Sequence, residues 1–272
     1  MAVELGLRGL TVLVTGGSRG LGREIALAFA AEGANVAICA RQADQLKATT
    51  KDLQALSVRA LAIRADLFDA AECIRVVDET VHEFGRLDVL INNASTNVVY
   101  PGHLETASDD LLMERIRGKA LAAIRCSRAA LPYFRKVGGG KIICIGGTAA
   151  RSVSGSRGFG SSMASGLGNA VLVNFAKHLS HEVAPDHILV NVVHPASMRT
   201  DRYPARVAAR AQEMGISTEE AEKDLANRIP IGRQIDPEDV APIVVFLAST
   251  KATAITGQSI AVDGGVLPQV VY

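Results

Sequence analysis

Seven short apolar runs punctuate the chain: Leu10–Thr15, Asn35–Ala40, Arg59–Arg64, Leu87–Asn92, Lys141–Ile145, Ile188–Val193 and Ser259–Val262. Each is rich in Val, Ile or Leu and lacks strict polar alternation, the pattern of strands buried on both faces of a parallel sheet. Between them lie stretches of helical periodicity: Gly20–Ala31, Asp44–Ala55, Ala70–Phe84, Asp109–Lys136 and Ser161–Ala184. Ala205–Asn227 and Pro237–Ser249 follow before the last run. Strand alternating with helix predicts an α/β, doubly wound parallel sheet of seven strands, with helices on both faces and right-handed crossovers. There are no internal repeats and no linker-like stretch. In open α/β sheets ligands bind at the C-terminal edge of the strands, so the Gly/Ser-rich stretch Ser152–Ser162 is either a site loop or an ordinary one.

The first run leads into Gly16-Gly-Ser-Arg-Gly20-Leu-Gly22, which opens a helix. Glycines there allow a tight turn and a close approach of backbone to a pyrophosphate, and the helix N-terminus adds unpaired N–H groups and partial positive charge. Strand before and helix after are the context a dinucleotide loop requires. Roughly 20 residues further on, an acid would bind the ribose 2′-hydroxyl of NAD. Here Cys39-Ala40-Arg41 stands instead, with no acid. Arg41 and Arg19 together suit a 2′-phosphate, because a guanidinium matches phosphate with paired hydrogen bonds. The expected cofactor is therefore NADP(H). Asp44 is expected to cap the next helix.

Composition narrows the partners. The 272 residues carry 29 Lys+Arg against 28 Asp+Glu, a net charge of +1. No long run of one sign occurs, so nucleic acid and membrane surfaces are not expected partners. The nearest approach, Arg115, Arg117, Lys119, Arg125 and Arg128, reads as one basic helix side. No apolar run approaches the ~20 residues that span a bilayer, and Met1–Arg8 has no signal-peptide pattern. Cys39, Cys73, Cys126 and Cys144 are scattered, with no CxxC pair and no His at ligand spacing, which suggests neither metal nor disulfides. A reducing cytoplasm is the expected setting.

Thr15-Gly-x-x-x-Gly-x-Gly22 resembles the cofactor loop of the short-chain dehydrogenase/reductase family. The resemblance continues through Asp66-Leu67, Asn92-Asn-Ala94, Ala129-Ala-Leu-Pro132 with Gly140-Lys-Ile-Ile143, and Val190-Asn-Val192 with Pro195 and Thr200. Pro230–Arg233, Pro237-Glu-Asp-Val240, Phe246-Leu-Ala-Ser249, Thr256-Gly257 and Val262-Asp-Gly-Gly265 match the family's C-terminal signature. Ser95 and Ala196 depart from it, where glycines are usual. The resemblance implies one Rossmann-type domain over residues 1–272, with a substrate lid at about 196–227. The implied cofactor contacts are Gly16, Ser18, Arg19, Gly20, Leu21, Gly22, Arg41, Asp66, Leu67, Asn93, Ala94, Ser95, Asn169, Pro195 and Thr200. It also implies a homo-oligomer, tetramer or dimer; the apolar tail Gly265–Tyr272 suits packing on a neighbouring subunit.

The family's chemistry rests on Asn, Ser and a Tyr-x-x-x-Lys pair. Here Lys119 falls at the Asn place, Gly147 at the Ser place, Ser165 at the Tyr place and Asn169 at the Lys place. Losing a positioned proton donor typically costs ~10²–10⁴ in rate, so other groups are candidates. Lys119 would acquire a useful pKa if desolvated; otherwise it is a surface lysine. His194 is either a general acid/base or a hydrogen-bonded strand-end residue. Thr148 offers a hydroxyl one residue late, Ser165 and Asn169 share a helix face, and His103 is a weaker candidate. Arg151, Arg157 and Arg199 either bind an acidic substrate or are exposed loop residues. Three readings follow. The first is an NADP(H)-dependent oxidoreductase for a small carbonyl, alcohol or imine, with non-standard proton delivery. The second is a non-redox lyase, isomerase or cyclase. The third is a silent NADP(H)-binding protein.

Overall fold

The structure, a computed structural model, describes residues 4–96, 108–151 and 160–268. Its strands are β1 (Thr11–Thr15), β2 (Asn35–Ala40), β3 (Ala60–Arg64), β4 (Val89–Asn92), β5 (Gly140–Ile145), β6 (Ile188–Pro195) and β7 (Ser259–Val262). They form one sheet in the order β3-β2-β1-β4-β5-β6-β7, and every pairing is parallel. The helices are α1 (Gly20–Ala31), α2 (Ala43–Gln54), α3 (Ala70–Phe84), α4 (Asp109–Arg115), α5 (Ala122–Lys136) and α6 (Gly160–Val183). After β6 come α7 (Tyr203–Met214), α8 (Thr218–Asn227) and α9 (Pro237–Ala248).

The unbroken apolar runs follow from burial on both sides. Successive strand residues point to opposite faces. Val12 and Val14 pack with Val36, Ile25 and Phe29 of α1, and Val240 and Val244 of α9. Leu13, between them, packs on the other face with Leu90, Ile142, Val76 and Val77 of α3, Cys126 and Phe134 of α5, and Leu172 of α6. This is the doubly wound α/β sheet that the pattern predicts. All four cysteines are free and buried in it. Among the described residues no helix is long and apolar enough to cross a membrane.

Three local expectations differ from what is observed. The stretch Asp109–Lys136 is not one regular helix: α4 and α5 are joined by a π-helical turn over Ile116–Leu121. Within that turn a Cβ on Gly118 would strike Thr96 and the Phe68 ring, so the chain passes where only glycine fits. Ala205–Asn227 divides into α7 and α8. Gly215 takes a left-handed φ of +65° that ends α7, and Ser217 with Glu220 forms a capping box that starts α8. The two helices bury Tyr203, Val207 and Ala211 against Ala221 and Leu225, making α7 and α8 a small unit with its own apolar contact. Finally, Asp44 does not cap α2. Gln42 holds that position and Asp44 lies in the first turn, where its charge favours the helix dipole.

Candidate active site

The strand order reverses between β1 and β4, and at such a switch point the two following loops diverge and leave a crevice. Gly16–Gly22 leaves β1 and Asn93–Thr96 leaves β4. Thr15 Oγ1 donates to the Ile91 carbonyl at 3.1 Å and accepts from Asn93 N at 2.9 Å and Ala94 N at 3.0 Å. Asn93 Nδ2 returns two bonds, to Thr15 O at 2.9 Å and Gly16 O at 3.1 Å. One threonine and one asparagine thus tie the glycine loop to the end of β4. Gly16 adopts φ +66°. A Cβ on Gly22 would overlap the Gly16 carbonyl, so the loop closes onto α1 with no room for a side chain. On its outer side Thr49 Oγ1 donates to Ser18 O at 3.0 Å.

A cleft of about 510 Å³ opens above this loop, within the range of small-molecule and cofactor sites. Of the residues expected at a cofactor, Gly16, Ser18, Arg19, Gly20, Leu21, Gly22, Arg41, Asp66, Leu67, Asn93, Ala94, Ser95, Pro195 and Thr200 all line it. Asn169 does not line it. The residues present fit a dinucleotide. The glycine cradle admits a pyrophosphate to the N-terminus of α1, and exposed Arg41 stands past β2 where a 2′-phosphate would lie. Arg19 is engaged differently from Arg41: its guanidinium pairs with Asp201, just ahead of α7, at 2.9 Å. Both partners are roughly half exposed, so the pair is weak and is readily exchanged for a phosphate.

Lys119 lines the same cleft. It projects from the π-helical turn, and its Nζ donates to Gly146 O at 3.3 Å. Burial, with the nearby Arg115 charge, pushes its pKa down to about 8. Beyond Gly146 the remaining candidates form the cleft's back wall rather than its lining. A Cβ on Gly147 would stand 3.0 Å from Asn169 Nδ2, so the Asn169 amide fills the space that a serine at 147 would claim. Asn169 is 4% exposed, and its Oδ1 has no hydrogen-bond partner among the described residues. Thr148 begins the turn after Gly147, and Ser165 lies one helical turn before Asn169 on α6.

His194 is fully buried. Its Nδ1 lies 3.1 Å from Gly147 N and 3.0 Å from Gly147 O, and its Nε2 2.7 Å from Ser259 Oγ. Desolvation pushes its pKa down to about 4, so it is neutral and braces the Gly146-Gly147 backbone against β7. Of the loop arginines, Arg199 pairs with Asp236 at 3.5 Å and Arg151 donates to Ser259 O at 3.3 Å. His103 and Arg157 lie outside the described residues.

Sequence reasoning enclosed Arg202, Tyr203 and Arg206 in the expected lid without singling them out; all three line the cleft. A signal was present: Arg202, Arg206 and Arg210 recur every fourth residue, the spacing of one helix face.

The fold and the glycine cradle define a nucleotide-binding α/β protein, and comparison with known proteins narrows this further. Residues 16–267 match the sequence profile described as enoyl-(acyl carrier protein) reductase. An uncharacterised short-chain type dehydrogenase/reductase of Sinorhizobium fredii is 34% identical over 96% of this chain and 98% of its own. An NADPH-dependent reductase of Bacillus subtilis is 32% identical over 94% of this chain and 96% of its own. The structure of L-sorbose reductase from Gluconobacter frateurii, solved with NADPH and L-sorbose, superposes with a TM-score of 0.90 at 30% identity. It covers 98% of this chain and 100% of that one. The chain belongs to the short-chain dehydrogenase/reductase family.

The Thr15–Asn93 tie makes a first prediction. Asn93→Ala leaves the Thr15 and Gly16 carbonyls without their side-chain donor, which costs about 1–3 kcal/mol of stability. Denaturant titration should show that loss together with weaker dinucleotide binding; unchanged values for both would remove Asn93 from this role.

Proposed function

We propose that the protein is an NADP(H)-dependent reductase of small carbonyl or imine substrates, in which Lys119 delivers the proton. The observation that carries this reading is a desolvated ammonium group lining the cleft. NADPH, when bound, supplies the hydride to the substrate carbon. Lys119 then gives a proton to the oxygen or nitrogen as charge develops there, and is reloaded from water. A donor with pKa near 8 is matched to this task at neutral pH. Asn169, buried against Gly147, supports the backbone there instead of lining the cleft. His194, neutral and held on both ring nitrogens, acts as a brace. The family and its reductase relatives support redox chemistry over the lyase and silent-binding alternatives.

The active form of Lys119 in reduction is the protonated one. The rate is therefore level below about pH 8 and falls as pH rises through that value. Lys119→Met should lower kcat by ~10²–10⁴ and abolish the alkaline limb. Lys119→Arg keeps the charge but cannot release a proton in this range, so it should fail similarly. A Lys119→Met enzyme with an unchanged pH profile would assign the proton to another group.

We also propose that Arg41 sets the preference for NADPH over NADH. Arg41→Ala should weaken NADPH by roughly 10-fold or more, since a guanidinium–phosphate contact amounts to about 1.5–3 kcal/mol, and leave NADH unaffected. Calorimetric titration with both cofactors reads this directly, and equal losses for the two would assign Arg41 elsewhere.

The assembly we propose is a homodimer or homotetramer. Leu167 and Val171 are exposed large apolar side chains one turn apart on α6, and Met113 is another on α4. Sedimentation should give two or four chains per particle at micromolar concentration; a monomer would refute it.

A further inference from the structure

The lid is unusually rich in arginine, and its arginines divide into two groups. Arg199 meets Asp236 at 3.5 Å and lies over the Tyr203 ring, 5.8 Å from its centre. Arg210 meets Asp224 and Glu213, each at 2.9 Å, and Arg228 meets Asp224 at 3.0 Å. Arg202 and Arg206, four residues apart at the start of the same α7 face, make no ion pair among the described residues. These two are the ones that line the cleft.

Their surroundings make an anion the natural occupant. Burial lowers the pKa of both guanidinium groups, and Arg19 and Arg115 repel Arg202. Arg115 also repels Lys119, so the cationic field runs from the lid to the proposed proton donor. The one acid that attracts Arg202 is Asp201, and that carboxylate is bonded to Arg19. Among the lining residues Arg19, Arg41, Lys119, Arg202 and Arg206 face only Asp66 and Asp201. Arg19 and Arg41 are matched to the phosphates of the dinucleotide, and Asp66 sits on the adenine side. Arg202 and Arg206 remain as a surplus of positive charge in the cleft. A cleft lined by one sign of charge concentrates ligands of the other sign, and guanidinium groups bind planar or tetrahedral oxyanions through charge-assisted bonds.

We propose that Arg202 and Arg206 form a specificity pair for a negatively charged group on the substrate, a carboxylate or phosphate carried beside the reducible carbonyl or imine. This rests on the reductase reading for the identity of the reacting group, but not for the binding of the anion.

The probes are matched pairs: acetoacetate with its methyl ester, and dihydroxyacetone phosphate with dihydroxyacetone. Each is titrated calorimetrically into the protein–NADP+ complex and tested separately for NADPH oxidation. The expected result is that at least one anionic member binds about 10- to 100-fold tighter than its neutral partner. Which pair shows the gap separates carboxylate from phosphate. Raising salt from about 20 to 200 mM should erode that gap, as screening requires. In the Arg202→Gln/Arg206→Gln double variant the preference should collapse, with the loss in KM for the anion and NADPH affinity retained. Equal binding of charged and neutral members overturns the proposal, as does binding of no anion. A loss that falls on NADPH affinity instead also overturns it, and assigns the pair to the cofactor phosphates. Anion binding without NADPH oxidation sinks the reductase reading and leaves this one standing. Oxidation with neutral ketones and no preference for charge does the reverse.

Discussion

Where β1 pairs with β4 the parallel sheet changes direction of growth, and beyond the paired residues backbone groups lack regular ladder partners. Buried carbonyls and amides cannot be left unpaired without a cost of about 1–3 kcal/mol each. Thr15 and Asn93 meet that demand with five hydrogen bonds among four residues and the Ile91 carbonyl. The glycine loop can lie open to a ligand only because its base is closed in this way. The first helix, the cleft floor and the entry to the β4 loop all take their positions from the same two side chains.

Above that base the site is built from charge held out of water. Lys119 sits where desolvation and Arg115 weaken its hold on a proton. His194, a more familiar acid/base residue, is removed from the exchange by the same physical effect, since burial keeps it neutral and its ring nitrogens are engaged by Gly147 and Ser259. Two side chains that both read as proton donors are thus separated by what each is bonded to. Between them Gly147 packs against the Asn169 amide, a contact with no titratable group in it.

The strands were legible because burial on both faces erases polar alternation, as in Asn35–Ala40, where the predicted and observed bounds coincide; the bounds of the half-buried edge strand Ser259–Val262 coincide as well. The glycine loop was legible because strand, turn and helix are contiguous. What escaped detection depends on partners remote in sequence. Nothing in the spacing of Arg202, Arg206 and Arg210 tells which of them Asp224 will neutralise from the next helix. The break between α7 and α8 at Gly215 was obscured by helical periodicity on both sides, although glycine followed by Ser217-x-x-Glu220 is a stop and start signal. The π-helical turn at Ile116–Leu121 left no compositional mark, since a wider hydrogen-bond ring uses the same residues as an α-helix.

That turn has a consequence for how the site can change over time. A π-helical turn holds one more residue than an α-helical one, so the helix before it and the helix after it are out of phase. Lys119 faces the cleft while Cys126, Ala130 and Phe134 keep their places in the core. Deleting one residue within Ile116–Leu121 would restore an ordinary helix and swing the side chain at this position by about 100°, one residue's share of an α-helical turn. A single-codon deletion or insertion can therefore exchange the group presented to the substrate without repacking the interior, a route to new chemistry that point substitution alone does not provide.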